Sequence, residues 1–202
     1  MKKEIVEKLM GMRACGEAVK WTKTERTPQS AWKNCERGDW MLWLIGRTIA
    51  DKPWGDERKP LVLACCECAR LALKYVPGGE DRPRIAIETA EAWARGEASR
   101  EEVKKAATAA ADAYAAAADA AAAAADAAAA DATAAAAAAY AAATAAYAAA
   151  AADAAAADAV AAAYAAADDD ADDARRDTLK TCADIVRKYY PEVPTVKITG
   201  GK

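Results

Sequence analysis

The chain has 202 residues, 28 Lys and Arg against 31 Asp and Glu, and neither His nor Phe. The missing imidazole excludes Ser–His and Cys–His nucleophile pairs, the usual general base and every His-containing metal site. The net charge of −3 is split unevenly, about +4 over residues 1–105 and −7 over 106–202; with no dense basic stripe, duplex nucleic acid is not an expected partner.

Residues 2–13 read as a first helix with Ile5, Val6, Leu9 and Met10 on one side. The stretch MKKEIVEKLM mixes Lys with Glu4 and Glu7 and lacks an apolar h-region, so it does not read as a signal peptide, and cytoplasmic residence is the expectation. Gly11 and Gly16 loosen the next segment, which carries Cys15, Val19 and Trp21. Thr27-Pro28 opens a short helix with Trp32 and Cys35 that is expected to stop near Gly38, because Pro suits the first helical turn and Gly its end.

Asp39 has the chemistry of an N-cap for a helix over 40–50, on which Trp40, Trp43, Leu44 and Arg47 recur at steps of three and four and share a face. Residues 51–59, with Pro53 and Gly55, read as a loop. Residues 61–75 are apolar on nearly every side, their only charges being Glu67, Arg70 and Lys74, which marks the central buried helix. Pro77-Gly78-Gly79 is a turn. The next helix, from Pro83 to Arg95, sets an Arg84, Glu88, Glu91 and Arg95 stripe toward water and offers Ile85, Ile87, Ala90 and Trp93 to the interior, with Gly96 ending it.

Ser99 and Glu102 form a capping box that launches a helix into the tract 106–167, almost pure alanine with scattered Asp, Thr and Tyr and no Gly or Pro. Alanine has the highest helix propensity of any residue but buries little area, so such helices must pack closely on something. The tract carries several Asp and is too weakly apolar to span a bilayer. Asp112, Asp119, Asp126, Thr133, Tyr140 and Tyr147 keep a seven-residue step, as in a left-handed supercoil. The block Asp126-AAAA-Asp131 returns as Asp153-AAAA-Asp158, favouring breaks near Asp131 and Asp153 and two or three helices folded together over one long rod. The cluster 168–173 makes a turn or an acid-rich first turn. A last amphipathic helix over 175–190 presents Leu179, Cys182, Ile185, Val186 and Tyr189, before Pro191, Pro194 and an extended or disordered tail.

The expected fold is all-α: an N-terminal helical domain over 1–98, an Ala-rich region with its closing helix over 99–190 packed on the first, and the tail 191–202. Six cysteines in mostly helical, apolar contexts suit reduced core thiols; the competing reading is a metal held by Cys65 and Cys68 with Cys15 or Cys35, although structural zinc normally takes ligands from loops with paired spacing. No catalytic residue, metal ligand or cofactor is assigned. The candidate binding residues are Trp32, Arg37, Asp39, Trp40, Trp43, Arg47, Glu67, Arg70, Arg82 and Arg84. Trp and Arg dominate protein-binding hot spots and also clamp nucleotide-like ligands, while the plainer reading makes the Trp residues core filler in place of Phe. Glu67 and Arg70 read either as a structural pair at the mouth of the core or as the wall of a cleft with Arg47 and Asp39. Arg82 and Arg84 sit where a helix start meets an anion.

The stretches CERGDWMLWL, LVLACCECARLALKYVP, GGEDRPRIAIETAEAWARGE and LKTCADIVRKYYP, with an Ala/Tyr/Asp-rich tract between the last two, resemble an all-helical family of phage and bacterial immunity proteins, the Imm-5-like domain. The likeness covers residues 15–105 and 175–191, and the tract by composition. It implies a non-enzymatic protein that neutralises a toxin or defence effector by direct binding. The residues leave open a second function, capture of a small anionic or nucleotide-like ligand in an Arg/Trp cleft. The Ala helices also offer a homodimer surface, and no membrane partner is expected.

Overall fold

The computed structural model describes residues 3–49, 53–123, 137, 140–142, 144–145 and 172–195. Among these, all regular structure is helical and no strand occurs. The helices are α1 (Lys3–Gly11), α2 (Gly16–Thr22), α3 (Pro28–Asn34), α4 (Gly38–Thr48), α5 (Lys59–Arg70), α6 (Arg82–Arg95), α7 (Arg100–Ala123) and α8 (Asp172–Tyr189), with single 3-10 turns at Asp56–Arg58 and Leu73–Tyr75.

Helix α5 is the hub, touching α4, α6 and α8. Its Leu61, Val62, Ala64, Cys65, Cys66, Cys68 and Ala69 are fully buried, as a helix apolar all round requires. It stops at Arg70, short of the expected Tyr75, and the chain tightens into the 3-10 turn. Helix α6 ends at Gly96 in the left-handed conformation (φ 84°), the usual glycine helix stop. Its Ile85, expected inside, is exposed, whereas Ile87, Ala90 and Trp93 are buried.

The Ser99–Glu102 box closes as the spacing predicts, with Glu102 accepting from the Ser99 N–H and Ser99 Oγ accepting from the Glu102 N–H. Helix α7 then lies along α6 and buries Val103, Ala106, Ala107 and Ala110 in the common core. Helical residues Ala141, Ala142 and Ala145 are buried in that core as well, and the Tyr140 ring stands 5.3 Å from that of Tyr114. In one straight helix those tyrosines would lie about 39 Å apart. Tyr114 and Tyr140 therefore do not lie on one straight helix, which decides against a single rod. The suspected breaks at Asp131 and Asp153 lie outside the described residues.

Helix α8 returns to the N-terminal half and packs on α4 and α5. Leu179, Cys182, Ile185 and Val186 face inward as expected. Gly38 makes this crossing close: a Cβ there would stand 2.5 Å from Cys182 Cβ and 2.8 Å from the Ala183 nitrogen. Gly38 thus begins α4 and does not end α3, which stops at Asn34 with Cys35 as its C-cap. The orphan carbonyls at the end of α3 are met from across the chain, where the Arg187 guanidinium donates to the Trp32 oxygen (3.2 Å) and to the Cys35 oxygen. A cation at a helix C-terminus also complements the dipole.

Candidate functional site

Helices α1 to α4 and residues Val193 to Thr195 enclose a cleft of about 760 Å³. Ile5 and Leu9 supply one wall from α1, Trp21 another from α2, and Trp40, Trp43 and Leu44 a third from α4. Of the expected stripe on α1, Val6 is buried and Ile5 and Leu9 line the cleft, but Met10 is 60% exposed. Trp21 and Trp40 meet with ring centroids 6.0 Å apart at 54°. Trp32 is nearly buried and reaches the cleft by one edge, its indole N–H donating to the Tyr190 oxygen at 2.9 Å.

Arg37 is locked in place. Its Nε and Nη2 donate to Asp39 Oδ1 (2.9 Å) and Oδ2 (2.7 Å), Glu17 lies 3.8 Å away, and the guanidinium stacks over Trp40 at 4.3 Å from the ring centroid. The Asp39 hydrogen bond outweighs burial and raises the Arg37 pKa further. Asp39 is therefore the partner of Arg37 and not the N-cap expected of it; α4 starts from Arg37 with no side-chain cap.

Cys35 lines the cleft, but burial pushes its thiol up to about 11, so it stays protonated at neutral pH. It donates to the Arg37 oxygen. Cys15 is exposed and caps α2, its sulfur accepting from the Ala18 N–H at 3.4 Å, far in role from the buried Cys65 and Cys68. The buried thiol that joins those two is Cys182 of α8, and Cys66 turns away to the Ile87 oxygen. Among the described residues no His, Cys, Asp and Glu group has the arrangement to hold a metal ion.

Of the ten candidate residues, five come together here: Trp32, Arg37, Asp39, Trp40 and Trp43. The other five do not line the cleft. Arg47, three residues past Leu44, is exposed outside it. Glu67 and Arg70 do not pair with each other: Glu67 accepts from Lys188 (2.8 Å) and Tyr189 (2.8 Å) of α8, while Arg70 makes a bidentate pair with Glu91 of α6 at 2.9 and 2.8 Å. Each thus ties α5 to a different neighbour, and Glu91 leaves its expected water-facing stripe. Arg82 is held by Glu80, and Arg84 by Asp81 and Glu88. No convergence of arginines on one point exists among these residues.

Trp21 and the tail residues escape a sequence reading. Gly11 and Gly16 disguise α2, whose N-cap is a thiol and not one of the usual Ser, Thr, Asp or Asn. Val193 is pinned by its N–H to Gln29 Oε1, a pairing 164 residues apart that no local pattern encodes. Among the described residues no helix is long and apolar enough to cross a membrane. No protein-family model, curated protein or solved structure matches this chain.

Proposed function

We propose that this chain is a binding protein without catalytic chemistry, of the immunity type, which neutralises a toxin or defence effector by receiving an apolar segment of it between α1, α2 and α4. The observation that supports this most is the make-up of the cleft. Four tryptophans with Ile5, Leu9 and Leu44 line it, and the Arg37 that stacks on Trp40 is already satisfied by the Asp39 carboxylate. A site of that kind favours apolar anchors, each contributing about 1.5–3 kcal/mol when fully buried. Trp43 is half-buried and tolerates replacement better than Trp32. Immobilised chain carrying Trp43→Glu should lose a partner captured from host lysate, whereas Arg84→Ala, outside the cleft, should keep it. Capture that survives Trp43→Glu unchanged would show that the cleft is not the binding face.

Sequestration of a small anionic or nucleotide-like ligand is the second reading, and the concavity of the site with Arg37 stacked on Trp40 favours it. Against it stands the Arg37–Asp39 pair, which a phosphate would have to break. Calorimetry against a panel of nucleotides separates the two. Heat that Arg37→Ala abolishes would make ligand capture the function.

A further inference from the structure

The turn between α1 and α2 holds a feature that the cleft by itself does not need. Met12, Arg13 and Ala14 close α1 with backbone bonds to Lys8, Met10 and Leu9, each 3.0 Å, in the pattern of a Schellman stop. The left-handed residue of such a stop is usually glycine. Here it is Arg13, with φ 64°, although Gly11 is only two positions away and sits inside the helix. A non-glycine residue in this region is strained, and strain of this kind concentrates at binding sites.

Arg13 also differs from the other charges lining the cleft. Lys8 is paired with Glu4 at 2.8 Å, and Arg37 with Asp39 and Glu17. The exposed Arg13 guanidinium lines the same cleft and has no hydrogen bond or ion pair among the described residues. A cation with no counter-charge among the described residues thus stands beside a wall of tryptophans.

Resting on the reading of the cleft as a docking site for a partner protein, we infer that the docked segment carries one carboxylate beside its apolar anchors, and that Arg13 is the residue that selects it. The apolar wall supplies affinity without discrimination. The guanidinium, presented from a left-handed turn residue, adds a bidentate charge-assisted contact at the rim. A neutral apolar segment would still enter but would leave Arg13 unmatched, and a basic one would be repelled.

The test uses two fluorescent probes of one shape, 1-pyrenebutyrate and 1-pyrenebutanol, which differ in carboxylate against hydroxyl. The intact chain should bind the acid about fivefold more tightly than the alcohol, the size of a favourable, partly exposed ion pair. Arg13→Gln and Arg13→Gly should each erase that preference while leaving the alcohol's affinity unchanged. Arg13→Gly should in addition raise the melting temperature by a few degrees, because glycine adopts φ 64° without strain. That rise also proves the variant folded. A preference that persists in Arg13→Gln, or is missing from the intact chain, overturns the role of Arg13. Failure of both probes to bind, or binding indifferent to Trp43→Glu, instead overturns the cleft as an apolar docking site.

Discussion

Replacing Gly38 with alanine tests the crossing on which the fold turns. The new Cβ would lie 2.5 Å from Cys182 Cβ and 2.8 Å from both the Cys182 carbonyl carbon and the Ala183 nitrogen. Carbon atoms rest about 3.5–4.0 Å apart, so α4 must retreat from α8 by about 1 Å. The obstruction includes backbone and not merely the far end of a side chain, so rotamer changes cannot relieve it. Overpacking of this kind costs about 1–3 kcal/mol, partly offset by the better helix propensity of alanine. A net loss of about 1–2 kcal/mol corresponds to a drop of about 2–8 °C in melting temperature for a chain of this size. Urea unfolding followed by far-UV circular dichroism should show a lower midpoint with an unchanged slope. Gly11→Ala and Gly16→Ala serve as controls, since a Cβ at either meets nothing within 4 Å. Each should be neutral or stabilising by up to about 1 kcal/mol. If Gly38→Ala proves as stable as those controls, α4 and α8 do not cross at this glycine.

Thiol reagents and acid test two further parts of the structure. In the native protein Ellman's reagent should label Cys15 alone, with Cys35, Cys65, Cys66, Cys68 and Cys182 reacting only in denaturant; rapid labelling of a second thiol would contradict the buried cluster. A strong chelator should leave the circular dichroism spectrum unchanged, and spectral loss on chelation would restore the metal reading. Burial opposes ionisation of Glu67, but the hydrogen bonds from Lys188 and Tyr189 outweigh it and hold its pKa below the ordinary carboxylate value. Its contribution is therefore present at neutral pH and lost as pH falls through that depressed pKa. Because Glu67 is about one-third exposed (34%) and Lys188 is 62% exposed, the contribution is under about 1 kcal/mol. Glu67→Gln should flatten the acid limb of the stability curve by that amount, and an unchanged limb would remove Glu67 from the α5–α8 contact.

What the sequence determines here is local. Helix content follows from alanine's propensity and from the scarcity of breakers. The Ser99–Glu102 box, the Gly96 stop and the inward face Leu179, Cys182, Ile185, Val186 depend on neighbours within one or two turns, and each stands in the structure as its spacing predicts. Tertiary structure decides whatever pairs distant residues. Asp39 has two good uses, as a cap and as an ion-pair partner, and only the placement of Arg37 over Trp40 selects the second. Glu67 and Arg70 sit three apart on one helix and read as a pair, yet α8 and α6 each bring a nearer counter-charge. The cleft itself is assembled from α1, α2, α3, α4 and a tail that arrives about 150 residues later, so no window of the sequence contains it. Arg13 shows the same division of labour. Its backbone is set by a turn that glycine would fill without strain, and only the tertiary structure puts that turn at the edge of a tryptophan-lined cleft.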